Sequence, residues 1–360
     1  MTRKIPIARP FVSNELIDSV ADTLKSGFWT RGKICEQFER DFASYIGTND
    51  AFAVNSGTTA LRLALRVLDL PKGASIIIPD MSFIATVQAI VMEGFRPVFV
   101  DVKEDGNLDP DELERTFSGN VKAVMVVHLH GKAADVERIA RFCQKRGLRL
   151  IEDASQAAGA SFLGKKVGSF GDVSAFSLYA TKNLAAGEGG IIAFNNPSLR
   201  EKLSIYSNNG FYQGEIKAPL GDSLRMSDIH ASIGLYQLKK LEELNNRRKE
   251  IAQYYTKHLK NLSKISLPSP DNNVFHHYNI VVKRGYDFSV KDAFSFFDKV
   301  GIQIKQYYPY ALSSFFGRKP LRTSSFLSKN SFCIPLFPSL KDEEVKKVRD
   351  AVIDYFGGSE

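Results

Sequence analysis

Apolar positions along this chain keep two different rhythms, and the switches between them divide it into elements. Over residues 13–26 and 34–45 they return at helical intervals, the first run closing at Gly27. Residues 51–54 form a short apolar run, and Asn55-Ser56-Gly57-Thr58-Thr59 leads straight into a helical pattern over 60–68. From there apolar runs at 75–78, 97–101, 123–127 and 148–151 alternate with helical patterns at 85–93, 110–117 and 135–146. Continuous apolar strands separated by helices predict an α/β fold, a mainly parallel sheet covered on both faces. In such sheets ligand-binding groups gather beyond the carboxyl ends of the strands. Asn55 and Asp153 each follow a strand, which makes them site candidates.

A β-like run over 173–179 and an apolar strand at 191–194 enclose Lys182 and the glycines Gly187, Gly189 and Gly190. A nucleophilic lysine needs a rigid mount and a partly dry setting, because desolvation lowers its pKa and frees the amine. Taken alone, the pattern also fits a surface lysine on a hairpin loop. Beyond 194 the rhythm loosens. Residues 208–222 read as a long loop, and loops of that length in compact domains are often functional. A long helix covers 228–259, and a strand at 278–282, a helix at 290–300, a strand near 333–336 and a helix at 342–355 make a small α+β unit. We expect a large domain at 1–235, with the N-terminal helices, and a smaller C-terminal one at 236–360.

Composition narrows the class. At 360 residues, with 44% apolar and 24% charged side chains, the chain has the length and make-up of a two-domain globular protein. No apolar run reaches the roughly 18–20 residues of a membrane span. The start Met1-Thr2-Arg3-Lys4-Ile5-Pro6 lacks the apolar core of a secretion signal, so a cytoplasmic protein with no membrane partner is expected. Cys35, Cys143 and Cys333 are odd in number and far apart. They read as free buried thiols, and His128/His130 and His276/His277 have no cysteines at zinc-finger spacing; no metal is expected. The formal charge of +8 raises the question of nucleic acid. Its densest basic cluster, Lys239-Lys240 with Arg247-Arg248-Lys249, is diluted by Glu242, Glu243 and Glu250, as on a solvated helix face. With no accompanying binding signature we expect no nucleic-acid partner; the same excess suits a small anionic substrate.

Ser-Gly-Thr at a helix start offers unpaired N–H groups and a favourable dipole to a phosphate, and is equally an ordinary N-cap. Asp153 comes next, and Lys182 follows 29 residues later. The order matches the needs of pyridoxal 5′-phosphate (PLP): donors for the phosphate, a carboxylate that keeps the pyridine nitrogen protonated, and a lysine for the aldehyde. Each residue alone has a bland explanation; the ordered set points to the cofactor.

Several stretches then resemble the DegT/DnrJ/EryC1/StrS sugar aminotransferases, PLP enzymes of fold type I. They are Ser26-Gly27 and Gly32 with Phe38-Glu39-Arg40-Asp41-Phe42-Ala43; Asn55-Ser56-Gly57-Thr58-Thr59-Ala60-Leu61; Pro97-Val98-Phe99-Val100-Asp101; and Val127-His128-Leu129-His130-Gly131. Further on come Ile151-Glu152-Asp153-Ala154-Ser155-Gln156, Phe176-Ser177, Lys182-Asn183-Leu184, Gly187-Glu188-Gly189-Gly190, Arg225-Met226-Ser227-Asp228-Ile229 and Ile334-Pro335-Leu336-Phe337-Pro338. The resemblance spans nearly the whole chain. It implies that Lys182 forms the aldimine and then moves the proton between substrate and cofactor, that Asp153 pairs with the pyridinium, and that Gly57, Thr58 and Ser177 hold the phosphate. Phe83 would cover one face of the ring, with core packing as the alternative. Gln156 would touch the other face or the ring oxygen, or else serve as a cap.

The family commonly has Asn-Tyr-Arg where this chain has Ser223-Leu224-Arg225, so Ser223 stands where an asparagine of the neighbouring subunit usually meets the phosphate. Asn209-Gly210 replaces a usual His-Gly. The implied function is transfer of an amino group, with glutamate as donor, to a nucleotide-linked keto-sugar, a 4-keto-6-deoxy sugar being preferred, in a homodimer with shared active sites. Glu188 is a candidate for the sugar hydroxyls or a plain loop residue. Arg31 and Arg225 are candidates for the substrate diphosphate or the donor carboxylate, whose shape the guanidinium fork suits, or for ordinary ion pairs. Relatives with histidine in place of the lysine dehydrate sugars instead, and Lys182 argues against that chemistry. A PLP-dependent dehydratase and a non-catalytic PLP-binding regulator are the alternatives.

Overall fold

The computed structural model describes residues 4–357; residues 1–3, part of the stretch read for a secretion signal, lie outside it. Seven strands form the main sheet: β1 (Asp50–Val54), β2 (Ser75–Pro79), β3 (Arg96–Val100), β4 (Val121–Val127), β5 (Arg149–Asp153), β6 (Val173–Ser177) and β7 (Gly190–Phe194). Their order across the sheet is β1-β7-β6-β5-β4-β2-β3. Neighbours from β6 through to β3 run parallel, while β7 runs antiparallel to both β1 and β6. The expected α/β architecture of fold type I is present, with one reversed strand that the apolar pattern does not reveal.

The pleat sends alternate residues to opposite faces, and both faces are apolar. Phe52, Val54, Ile76, Ile78, Met125 and Ile192 pack on one side against Leu61 and Leu65 of the helix Gly57–Arg66 and Val87 and Ile90 of the helix Ile84–Met92. On the other side Ala51, Ala53, Ile191 and Ala193 meet Phe38 and Phe42 of the helix Lys33–Ile46. Ile77, Val124, Val126 and Leu150 meet Ile139 and Phe142 of the helix Val136–Arg146. Each fully buried large apolar side chain contributes about 1.5–3 kcal/mol, so register slips that would expose these faces are strongly disfavoured.

The smaller sheet is antiparallel, β8 (Ile265–Ser266), β9 (Tyr278–Val282) and β10 (Ser331–Ile334), in that order. Its core gathers Tyr255, Phe297, Phe332, Phe337 and Val348. The helix Asp228–Leu259 runs unbroken through the expected domain boundary at 235. It places Leu238 and Leu241 in the core of the large sheet and Ile251, Tyr255 and Leu259 in that of the small one. It therefore serves both cores as a shared spine.

Three local details differ from the sequence reading. The 110–117 helix is a 3-10 turn, Pro110–Glu112, followed by the short helix Leu113–Thr116. The 208–222 loop contains a ribbon of Phe211–Tyr212 with Glu215–Ile216, and the helices Leu199–Ser207 and Arg322–Asn330 have too few apolar positions to show a period. Cys35, Cys143 and Cys333 are buried free thiols, as expected. Among the described residues no helix is long and apolar enough to cross a membrane.

Candidate active site

The parallel strands deliver their carboxyl ends to one edge of the sheet, and there the candidates converge. Asn55 follows β1, Phe83 lies just past β2, His128 follows β4, Asp153 ends β5 and Ser177 ends β6. Because β7 is reversed, its first residue Gly190 lies beside Ser177 at the same edge. The connection 178–189 therefore leaves the edge and returns to it. It is closed by hydrogen bonds from Leu178 N–H to the Gly189 carbonyl (2.9 Å) and from Ala186 N–H to the Leu178 carbonyl (2.7 Å).

Lys182 sits on this connection, half-buried, its N–H bonded to the Tyr179 carbonyl at 2.8 Å. Burial pulls its amine down from 10.5 to about 8, and the negative charge of Asp153 opposes that fall. The two side chains thus share one electrostatic environment. Asn183 fixes the mount. Its amide donates to Asn245 Oδ1 (2.8 Å) on the spine helix and to the Val274 carbonyl (3.1 Å), and its oxygen accepts from His276 Nδ1 (3.0 Å).

Asp153 is buried, with Oδ2 accepting from Thr86 Oγ1 (2.9 Å) and Oδ1 from Ser155 N–H (3.2 Å). Its neighbour Glu152 does structural work. Pointing the other way along the pleat, it accepts from the N–H groups of Gly168 (2.7 Å), Phe170 (2.8 Å) and Gly171 (2.7 Å) and pairs with His128 Nε2 at 3.1 Å. His128 Nδ1 accepts from Ala134 N–H, which fixes the Nε2–H tautomer and makes Nε2 the donor to Glu152.

The helix Gly57–Arg66 begins at this edge. Ser56 caps it by accepting from Thr59 N–H at 3.1 Å, and Gly57 and Thr58 precede Ala60, which makes the first helical bond, to Ser56. A Cβ on Gly57 would stand 2.6 Å from Ser177 Cβ and 2.9 Å from its hydroxyl oxygen, and one on Gly190 would stand 2.3 Å from the Ser56 carbonyl oxygen. Glycine at both places lets the helix N-terminus and the Ser177 hydroxyl share one small space. The result is a concentration of donors suited to a phosphate.

Gln156 is held at both ends of its amide. Its oxygen accepts from His130 N–H (2.8 Å) and its nitrogen donates to the Tyr308 hydroxyl (2.9 Å). Phe83 is 51% exposed although it belongs to this crowded edge, with its ring 5.7 Å from that of Tyr308. It is not core packing; its free face is available to a flat ligand. Burial raises the Tyr308 phenol well above its usual value and the Asp153 charge adds to the rise, so the phenol stays protonated.

The remaining candidates lie further out. Arg31 has other partners than those expected. Its guanidinium bonds the buried Glu39 (2.7 Å) and the Ala53 carbonyl (3.1 Å) and stacks 4.2 Å over Phe52; the ion-pair alternative describes it. Arg225 bonds Asn208 Oδ1 and Ser223 Oγ (3.1 Å), so these two residues form one exposed patch beside the end of β1. Glu188 is exposed between Gly187 and Gly189. Phe28 and Trp29 are 78% and 53% exposed on the loop after the first helix. Sequence reading missed Tyr308, Thr86 and Asn183. Only Asn183 had a local signal, its adjacency to Lys182; the other two reach the site through the fold alone.

Residues 10–353 match the model of the DegT/DnrJ/EryC1/StrS aminotransferase family. The chain belongs to this family. Aminotransferases of this family depend on PLP. The dTDP-3-amino-3,6-dideoxy-alpha-D-galactopyranose transaminase of Aneurinibacillus thermoaerophilus is 34% identical, with 95% of each chain covered. Helicobacter pylori PseC, an aminotransferase involved in the biosynthesis of pseudoaminic acid, superposes with a TM-score of 0.95 at 28% identity, over 99% of this chain and 100% of PseC. A sugar aminotransferase homologue from Streptococcus pneumoniae, solved in PLP and PMP forms, superposes in its PLP form with a TM-score of 0.89 at 28% identity over 96% of this chain and 97% of its own. This DegT-family chain is an aminotransferase whose relatives work on nucleotide-linked sugars.

Proposed function

We propose that this aminotransferase binds PLP at the sheet edge and transfers an amino group, with glutamate as donor, to a nucleotide-linked keto-sugar carrying a 4-keto-6-deoxy ring. The observation that carries the reading is Lys182, its amine brought down to about 8 by burial and coupled to Asp153 at the end of the neighbouring strand. The residues fit the cofactor. Gly57 leaves open the space that a Cβ would fill beside Ser177, the exposed Phe83 offers an aromatic face, and Asp153 offers a carboxylate already oriented by Thr86 and Ser155.

PLP, when bound, supplies an electron sink for the carbon that exchanges its proton. The chain's own residues do the rest. Gly57, Thr58 and Ser177 would hold the phosphate through N–H and hydroxyl donors, and Asp153 would keep the ring nitrogen protonated by charge. Phe83 would cover one ring face, and Gln156, braced by His130 and Tyr308, would meet the other face or the ring oxygen. Lys182 would hold the aldehyde end of the group, and its Nζ would be the atom that takes up and returns the exchanged proton. Glu188, exposed on the Lys182 loop, faces incoming sugar hydroxyls, and Arg225 with Ser223 receives anionic groups. In a homodimer Ser223 and Arg225 complete the neighbour's site. The exposed Ile17, Leu24, Phe28 and Trp29, with Phe211, Ile216 and Leu220, support such an interface.

The test incubates the PLP-loaded enzyme with glutamate and a panel of nucleotide-linked 3-keto and 4-keto sugars. Formation of 2-oxoglutarate and of the amino-sugar nucleotide is followed by mass spectrometry. Transfer to the 4-keto-6-deoxy members, lost in Lys182→Ala, is expected. Loss of water from the sugar without consumption of glutamate would mark a dehydratase, and cofactor binding with no turnover on any member a regulator.

A further inference from the structure

His130, His277 and Cys333 come together where the two sheets meet, and nothing in the transfer chemistry uses them as a set. His130 stands on the turn after β4, His277 immediately precedes β9, and Cys333 lies in β10. One ligand-type atom from each lies within 4.8 Å of the others, and the two Nδ1 atoms are 3.2 Å apart. Tetrahedral zinc, with bonds of about 2.0–2.1 Å to nitrogen and about 2.3 Å to sulfur, needs donor atoms about 3.3–3.6 Å apart. The Nδ1 atoms already have that spacing, and the sulfur, within 4.8 Å of a ring nitrogen of each histidine, has at most about 1.5 Å to close. Asn279 Oδ1, 3.4 Å from Cys333 Sγ, stands at the distance of a fourth donor.

The donors are held before any ion arrives. His130 has a left-handed backbone (φ 59°) and an N–H bonded to Gln156. The His277 ring stacks on Tyr307 at 3.8 Å, and its N–H bonds the His130 carbonyl at 3.2 Å. Cys333 is locked by a reciprocal backbone pair with Lys305. A cavity of about 190 Å³ lined by His130, Asn279, Glu104 and Asp105 opens a way in. Asp105 acts on His130 as a negative charge, whereas Lys182 and Arg248 act on His277 as positive ones. Cys333 is a buried free thiol, so an ion that binds its sulfur displaces the thiol proton, and the thiolate then offsets part of the ion's charge.

We propose that His130, His277 and Cys333, with Asn279 as fourth donor, bind one zinc-type divalent cation across the junction of the two domains. On binding, Cys333 releases its proton to water as the sulfur–metal bond forms. The imidazole that carried a hydrogen on Nδ1 takes the Nε2–H tautomer, and nothing is oxidised or reduced. The ion ties the turn after β4 to the small sheet one residue from His276, which braces the Lys182 mount through Asn183. The in-chain spacing that argued against a metal says nothing here, because these donors are far apart in sequence and meet only in the fold.

The full chain, purified, treated with a chelator and dialysed, is titrated with cobalt(II) as a spectroscopic probe and with zinc in a thermal melt. One equivalent of cobalt giving a thiolate charge-transfer band with tetrahedral visible bands, displaced by zinc, is expected, and zinc should raise the melting temperature. Cys333→Ser should abolish the thiolate band, His130→Gln should weaken binding at least tenfold, and Cys143→Ala should leave the spectrum unchanged. Absence of the band in the wild type, or its persistence in Cys333→Ser, overturns the proposal. Should Cys333→Ser fail to fold, X-ray absorption of the zinc-loaded wild type decides: a shell with one sulfur supports the site, and a shell without sulfur overturns it. None of these readouts depends on aminotransfer.

Discussion

Lys182 allows a quantitative test of how burial prepares its amine. At about 8 instead of 10.5, half the molecules at pH 8 carry a neutral amine, against about 0.3% for an ordinary lysine, a gain of about 150-fold in nucleophile. The displacement corresponds to about 3 kcal/mol of preference for the uncharged form. The cofactor-free chain should therefore be labelled by PLP at a rate that rises with pH through a midpoint near about 8 and then levels. Borohydride trapping at fixed times, followed by mass spectrometry of the peptide holding Lys182, measures that rate. Asp153 sharpens the test. Its charge works against burial and raises the lysine pKa, so Asp153→Asn should move the midpoint to lower pH. A carboxylate acting as the base that activates the lysine would give a slower, later profile instead. A wild-type midpoint above about 10, or an upward move in Asp153→Asn, would refute the reasoning.

Three further outcomes are expected. Glu152→Ala removes the acceptor of three N–H groups and of His128 in a fully buried place, and should cost about 3–5 kcal/mol in urea unfolding. Gly57→Ala drives a methyl to 2.6 Å from Ser177 Cβ; PLP retained on gel filtration should fall, with a loss of about 1–3 kcal/mol in stability, while Gly119→Ala, with open space around its Cβ, should retain PLP. Arg31→Met leaves the buried Glu39 with Arg200 as its remaining ion-pair partner. The melting temperature should drop with the KM for the sugar nucleotide unchanged, whereas a raised KM would restore Arg31 to the substrate site.

Much of this protein is written in local sequence. The apolar runs at β1 to β5 and the helical periods between them are legible because the strands are buried on both faces and the helices carry one apolar stripe. The order of Ser56-Gly57-Thr58, Asp153 and Lys182 is legible because each chemical job needs a particular residue type at a strand end or helix start. The tertiary structure decided what local pattern cannot hold. The helix Arg322–Asn330 is serine-rich and weak in period, yet it forms because Asp101, from beyond β3, accepts from the N–H groups of Thr323 (2.9 Å) and Ser324 (3.0 Å), a cap supplied by a distant residue. Arg31 is legible as an anion hook or as an ion-pair partner, and only the fold shows it set against Glu39. Tyr308 and Thr86 reach Gln156 and Asp153 across 152 and 67 residues of chain, and His130 and His277 meet across 147. Period and propensity act over a few residues, whereas these contacts depend on which strand ends share an edge, and only the packed sheets determine that.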